Sequence, residues 1–227
     1  MSIFDRFKRK RADFGPVYLY TEEELDQYEA YITEQFGEFT AVMHEIVSPD
    51  IHLDIIMVPP TLRNNYYALI TMGMGAYKMK VPGELSQYQP ERAELVLYLP
   101  PTWDLHSEKE EDYWPIRQLK IAARLPINCD TWLGYGHTIS SDEENTPYAS
   151  NTDFCSMMLV NARNKNGGGL ELTLGDKGRI RFYQLLPLYR EELEYKQRTD
   201  ADALLDRMRG DGVMPVVQIG RKNYGAG

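Results

Sequence analysis

The sequence contains little of what a secreted or membrane protein needs. Only two cysteines, Cys129 and Cys155, occur in 227 residues, too few for a disulfide-stabilised scaffold. No run approaches the ~18 consecutive apolar residues that span a bilayer. The charged N-terminal stretch has no apolar segment behind it, so it lacks the form of a secretory signal. These absences predict a cytoplasmic protein with reduced thiols and no transmembrane segment.

Basic charge is also scarce. Lysine and arginine total 25 against 34 acidic residues, which gives a net charge of −9. This balance argues against direct nucleic-acid binding, because such binding needs a basic face. It fits two alternatives: a surface that only keeps the protein soluble, or one that steers a basic protein partner.

The possible metal ligands do not have the spacing of a known metal motif. His44-Glu45 precedes His52-x-Asp54 in the sequence, and neither pair forms a helical His-Glu-x-x-His pattern. Polar groups on a sheet face are the preferred interpretation, with His52 and Asp54 on the same side of one strand. We therefore expect a structural role for Asp54, and we predict no metal and no other cofactor.

No nucleophile has the surroundings that catalysis requires. Ser140 and Ser141 lie close to His137, but nothing resembles the strained Gly-x-Ser-x-Gly turn. Cys155 lies in an apolar strand pattern, which is typical of a buried small hydrophobe. The chain is therefore predicted not to be an enzyme. A hydrolase that uses His137, or His52 with Asp54, is the less favoured alternative.

Hydrophobic periodicity predicts helices and strands without regular βαβ alternation, which favours one α+β or mixed-sheet domain. The first helix has a capping box, Thr21 with Glu24. The predicted helices cover 22–36, a segment opened by Trp114-Pro115 and ended by Pro126, and segments that start at Pro187 and Asp200. The predicted strands cover 39–47, 51–58, 66–74, 93–99, 154–161, 170–174 and 179–186, with a hairpin at 164–169 and an edge strand at 213–219. The segment at 39–47 also fits a helix, but a strand is preferred.

The least regular segment is DTWLGYGHTISS at 130–141, between a predicted helix and a predicted strand. Gly134 and Gly136 disfavour a helix, and glycine inside a strand marks a bend or a close backbone approach. We expect these glycines to let the chain bend and Trp132 to anchor it in the core, so all three have structural roles.

Two roles are open for His137 in that segment. One ring nitrogen could hold a neighbouring carbonyl and fix the bent backbone. Alternatively, the ring could present a donor or acceptor to a bound peptide. The predicted partner-binding residues are Tyr135, His137, Thr138 and Asp142.

Six segments, in this order, resemble the Suppressor of fused (SUFU-like) domain family and specifically its bacterial single-domain members. They are HEIVSPDIHLDI (44–55), YYALITMGM (66–74), AELVLYLPPTW (93–103), WPI (114–116), DTWLGYGHTI (130–139) and FYQLLPLYREEL (182–193). Each segment is short, but together they cover roughly residues 20–210. The resemblance implies a mixed central β-sheet flanked by helices in a single domain, and it implies no catalysis.

The predicted organisation is a basic N-terminal tail or short helix at 1–19, a SUFU-like domain at 20–212 and a C-terminal tail at 213–227. Bacterial relatives are similar to immunity proteins that neutralise a toxin domain, often a nuclease. The animal member resembles a two-domain peptide clamp, which is not expected here because one domain is matched. In the animal protein an acidic residue precedes the histidine of the ligand-proximal segment, whereas Gly136 stands here.

The resemblance and the acidic balance together predict a non-catalytic protein-binding module. Its predicted role is that of a bacterial immunity protein that occludes a basic toxin or nuclease domain. A regulatory or scaffold domain with a housekeeping partner is the alternative.

Overall fold

The computed structural model describes residues 17–163, 167–210 and 216–225. Its centre is a mixed eight-stranded sheet. The strands are β1 Ala41–Met43, β2 Asp54–Val58, β3 Tyr67–Met72, β4 Ala93–Leu99, β5 Thr138–Ser140, β6 Ser156–Asn161, β7 Glu171–Leu174 and β8 Gly178–Leu188. Their spatial order is β1-β2-β3-β4-β8-β6-β5, and β7 also pairs with β8. Every pair is antiparallel except β4 with β8.

Four α-helices flank this sheet in the described part of the chain: α1 Glu22–Phe36, α2 Glu110–Cys129, α3 Arg190–Arg198 and α4 Ala201–Gly210. The predicted α+β fold with a mixed central sheet is confirmed. The predicted capping box of α1 is also present, because Thr21 Oγ1 accepts from the Glu24 amide and Glu24 Oε2 accepts from the Thr21 amide. Within the described residues, no helix is both long and apolar enough to cross a bilayer.

Side chains alternate along the strands and build a core on each face of the sheet. On one face, α2 packs through Trp114 and Leu119 against β-strand residues such as Leu95. On the other face, α1 packs through Tyr28 and Ile32 over β2–β4, β7 and the start of β8. A third cluster on this second face joins α4 to β6 and β8. Helices α1 and α4 therefore share one face and cover different halves of it.

The predicted bounds of α2 were wrong at both ends. The helix begins before Pro115 and continues past Pro126. Proline has no amide hydrogen, so Pro115 leaves the carbonyl of Glu111 without its helical donor. Asn151 Nδ2 donates to that carbonyl at 3.0 Å. A tertiary contact thus replaces the missing helical bond, which is why the proline is tolerated.

One prediction around β8 was also wrong. Pro187 does not start a helix, because pairing with Met157 of β6 keeps it extended, and α3 begins three residues later. The hairpin predicted at 164–169 lies partly outside the described residues, because the description omits 164–166. An antiparallel bridge between Arg163 and Gly169 closes this connection, while β6 and β7 lie end to end along the same edge of the long strand β8.

Three expectations concern the margins of the fold. The strand predicted over 39–47 is only three residues long, and the one predicted over 51–58 begins at Asp54. The predicted edge strand at 213–219 lies partly outside the described residues, and residues 216–219 form no strand, although the Val217 amide donates to the Tyr98 carbonyl. The basic segment at 2–13 lies wholly outside the described residues.

Candidate protein-binding site

After α2 ends, the segment that was singled out in the sequence leads into β5 at the end of the sheet. Leu133 is buried more deeply than Ile139, the other buried apolar side chain of the segment, and the Leu133 amide donates to Met79 Sδ at 3.4 Å. Trp132 is half-buried and packs against the same core cluster. The segment is therefore attached to the core through two consecutive apolar side chains, of which Leu133 is the deeper.

Glycine is needed at each of the two glycine positions of this segment for a different structural reason. A Cβ atom on Gly134 would lie 2.5 Å from Cζ3 of Trp132, so glycine lets the indole fold back over the chain. Gly136 has φ +79°, which is a left-handed conformation that favours glycine. Its amide donates to the Leu159 carbonyl at 2.8 Å and so starts the pairing of this segment with β6.

His137 lies against Trp132 and is half-buried. The two ring centroids are 4.3 Å apart at 65°, an edge-to-face arrangement. Burial lowers the pKa of His137, and a bond with the Trp132 backbone only partly offsets this effect. The ring is therefore neutral at pH 7, and its contacts support the structural role.

Replacing His137 with alanine is expected to lower the free energy of unfolding by about 1–2 kcal/mol, because the variant loses a hydrogen bond and an aromatic contact. Urea denaturation measures this loss. Ser140→Ala, an exposed change in the same segment, is the control. Unchanged stability together with unchanged partner affinity would show that His137 is not central to this segment.

Strand β5 presents one backbone edge away from the sheet. The Leu159 amide donates to the His137 carbonyl, and the Ser141 amide donates to the Cys155 carbonyl. Hydrogen-bonded residues alternate along an antiparallel strand. The backbone groups of Thr138 and Ser140 therefore point outward, and no described strand pairs with that side.

The other predicted partner-binding residues flank this edge. Tyr135 is exposed, and its hydroxyl donates to Asp202 of α4. Burial, together with this carboxylate, raises the pKa of Tyr135 to about 12. Asp142 follows β5, and its Oδ1 accepts from the Thr146 amide at 2.9 Å. This bond lowers the pKa of Asp142 and fixes the turn beyond the strand.

A separate polar cluster unites the two ligand-type pairs that were noted in the sequence. Asp54 Oδ2 lies 2.9 Å from His44 Nδ1 and 3.4 Å from His52 Nε2, and Asp54 Oδ1 accepts from the Glu45 amide. Burial alone would raise the pKa of Asp54, but the bonds from His52, Glu45 and His44 outweigh burial and lower it. Asp54 thus holds the start of β2 against the loop after β1. Among the described residues, no group of three or more His, Cys, Asp or Glu side chains is arranged to hold a metal.

Ser48 is the member of this cluster that sequence reasoning missed. Its Oγ lies 2.8 Å from His52 Nδ1 and 2.9 Å from Glu45 Oε2. Arg124 of α2 pairs with both Glu45 and Asp50. The serine hydroxyl is therefore enclosed in a network that pins the β1–β2 loop to α2. Within the described structure, His137 makes no hydrogen bond to Ser140 or Ser141.

Comparison with known proteins agrees with this architecture. The profile of the family described as Suppressor of fused protein (SUFU) matches residues 49–222. The chain belongs to the Suppressor of fused family. A search of curated protein sequences found no match for this SUFU-family chain.

Solved structures share the fold at low sequence identity. A SUFU homologue from Neisseria gonorrhoeae FA 1090 is 16% identical, with a TM-score of 0.58 over 90% of this chain and 96% of that one. A chain described as part of the Sufu-Fu complex is 14% identical, with a TM-score of 0.61 over 88% and 90%. Drosophila Suppressor of Fused is 15% identical, with a TM-score of 0.54 over 76% of this chain and 42% of that one.

In this SUFU-family domain, sequence reasoning found the segment but not the role of its backbone. Ser140 was considered only as a nucleophile, whereas the structure places its backbone groups on the outward edge of β5. The contact of Tyr135 with Asp202 joins residues 67 positions apart. No local pattern predicts either feature, because both depend on strand order and helix placement.

Proposed function

We propose that this SUFU-family domain is a non-catalytic protein-binding module that pairs β5 with an extended segment of a partner. The outward backbone groups of Thr138 and Ser140 are the observation that carries the proposal. An exposed edge strand gains main-chain hydrogen bonds when a partner strand is added, and flanking side chains supply specificity. Tyr135 and Asp142 flank the two ends of this edge.

The proposed partner is a basic toxin domain, which the chain would neutralise as a bacterial immunity protein by occlusion. The net charge of −9 supports this choice, and Asp142, Glu143 and Glu144 are all exposed immediately after β5. Acidic side chains beside a docking edge speed the approach of a basic partner, while contacts by Tyr135 and Trp132 would govern the lifetime of the complex. A related structure is described as the Sufu-Fu complex, so a protein of this fold binds another protein.

Co-expression with the product of an adjacent toxin gene tests the immunity role. We expect protection of the cells and a stable one-to-one complex on gel filtration. If no adjacent gene product forms a complex and none is neutralised, the immunity role is excluded. A complex without protection would point to a regulatory or scaffold role.

A proline at Ser140 tests the docking edge itself. Ser140→Pro removes an amide hydrogen that points away from β6, so the bonds within the sheet are kept. We expect it to weaken partner binding about tenfold or more, the value of one or two main-chain hydrogen bonds. The matched control, Ser140→Ala, keeps the amide and should bind normally. Equal affinity of the proline and alanine variants would place the interface elsewhere.

A further inference from the structure

The face of the sheet that α1 and α4 share contains a cleft of about 1140 Å³ between these helices. Small-molecule pockets usually measure about 300–1,000 Å³, so this cleft has room for a segment of polypeptide. Its floor is formed by side chains of β4, β6 and β8, namely Tyr98, Val160, Gln184 and Leu186. It lies beside the proposed β5 edge, because Tyr135 also lines it.

Three arginines line the cleft from three separate parts of the chain. Arg63 belongs to the β2–β3 loop, Arg163 follows β6, and Arg209 lies in the last turn of α4. All three are exposed. In a chain with 34 acidic and 25 basic side chains, this convergence gives the cleft the opposite sign to the whole protein.

The two carboxylates in the lining have partners of their own. Asp202 accepts a hydrogen bond from the Tyr135 hydroxyl, and Glu34 is not without an interaction partner either. By contrast, Arg63 makes no hydrogen bond or ion pair with any described residue. Arg163 donates through Nη1 to the Gly167 carbonyl, and Arg209 donates through Nη1 to Asp206. Each guanidinium carries five N–H donors, so both keep donors for a ligand.

The remaining lining is suited to apolar and aromatic contacts. Tyr66 and Tyr98 form an edge-to-face pair with ring centroids 4.9 Å apart. Leu205 and Met208 of α4 line the opposite wall. A ligand that is complementary to this cleft must therefore place apolar groups over the floor and negatively charged groups beside the arginines.

We propose that this cleft binds an extended peptide segment that carries both acidic and apolar side chains. The acidic groups pair with Arg63, Arg163 and Arg209, since guanidinium and carboxylate form bidentate hydrogen bonds. The apolar groups lie over the tyrosines and the aliphatic floor. This surface does not use the backbone edge of β5, although Tyr135 borders both surfaces, and it selects a ligand of the opposite charge to the proposed toxin surface.

Two fluorescein-labelled dodecapeptides provide the test, (Glu-Ala-Glu-Leu)₃ and (Lys-Ala-Lys-Leu)₃. Binding is measured by fluorescence anisotropy at about 50 mM salt, where screening of exposed charges is modest. The net charge of the protein alone favours the lysine peptide. The proposed cleft predicts instead that the glutamate peptide binds, and that Arg63→Ser combined with Arg209→Ser weakens its binding about tenfold or more.

Arg179→Ser is the matched control, because Arg179 is an exposed arginine that pairs with Glu171 outside the cleft. It should leave glutamate-peptide affinity unchanged. No binding of the glutamate peptide, or equal loss in the control and the double variant, would overturn the proposal. Ser140→Pro should not alter glutamate-peptide binding, so failure of the cleft and failure of the β5 proposal are distinguishable.

Discussion

Arg221→Met is expected to lower the free energy of unfolding by about 3–5 kcal/mol, because it leaves a buried carboxylate without its ion partner. Arg221 and Glu192 have side chains that are only 6% and 0% exposed. Arg221 Nη2 donates to Glu192 Oε2 at 2.7 Å and to the Pro187 carbonyl at 2.9 Å. The pair thus joins residues 216–225 to the end of β8 and the start of α3.

Further contacts explain why loss of this ion pair should lower the free energy of unfolding substantially. Glu192 also accepts from the amides of Tyr189 and Tyr224, at 3.0 Å each. The Arg221 guanidinium lies 5.1 Å from the ring centroid of Phe154 and 5.0 Å from that of Tyr189. Removing the cation therefore affects the C-terminal stretch, the α3 start and an aromatic cluster together.

Urea denaturation of four variants measures the effect: Arg221→Met, Glu192→Gln, the combination of these two, and Arg209→Met. Arg209→Met removes a pair with Asp206 that is exposed on both sides, so it should cost less than about 1 kcal/mol. Arg221→Met combined with Glu192→Gln removes the uncompensated charge, and it should cost less than the sum of the two single changes. A loss for Arg221→Met no greater than that for Arg209→Met would contradict this account.

Glu94→Gln is expected to change how stability depends on pH. Glu94 lies in β4 and is fully buried. Its Oε1 accepts from the Tyr20 hydroxyl at 2.6 Å and from the amides of Gly73 and Gly75 at 2.9 Å each, and its Oε2 accepts from Thr71 Oγ1 at 2.6 Å. One carboxyl group therefore connects the segment before α1, β3 and the turn after β3.

The direction of the effect follows from the pKa of this carboxyl. Burial raises the pKa of Glu94 from 4.5 to about 7, although the surrounding hydrogen bonds lower it. Between these two values the folded state holds a proton that the unfolded state has lost, so the unfolding free energy falls as pH rises. The contribution of Glu94 is complete below pH 4.5 and is lost by about pH 7, roughly 3 kcal/mol in total.

The glutamine variant stays neutral and so lacks this loss. Its stability relative to the parent protein should rise by roughly 3 kcal/mol between pH 4.5 and pH 8. Denaturation at several pH values measures the difference, and Glu171→Gln, at an exposed carboxylate on β7, provides the control. A difference between Glu94→Gln and the parent that does not vary with pH would show that Glu94 is ionised throughout this range.

The sequence predicted those elements whose signals are local. The bounds of α1 follow from Thr21, Glu24 and the spacing of its apolar residues, and the structure reproduces them. The errors in helix bounds occurred at prolines: Pro115 and Pro126 lie inside α2, and Pro187 lies inside β8. In the cases of Pro115 and Pro187, a contact from a distant part of the chain overrides the local preference for a break.

The candidate site was predictable as a segment but not as a surface. Two glycines and a histidine marked residues 130–141 as irregular. That β5 ends the sheet depends on the order of all the strands, which the local pattern does not contain. The same holds for Glu94: an acidic residue within an apolar strand suggests a buried carboxyl, but its donors come from separate segments.

Amide hydrogen exchange at Thr138 and Ser140 tests the central claim most directly. In the free protein these two amides should exchange faster than that of Ile139, which faces β6, since they point to solvent. When the toxin that this chain neutralises is added, the amides of Thr138 and Ser140 should become protected from exchange. The amides of β1, at the opposite end of the sheet, should keep their exchange rates. A tight complex in which Thr138 and Ser140 exchange as fast as before would contradict docking at β5.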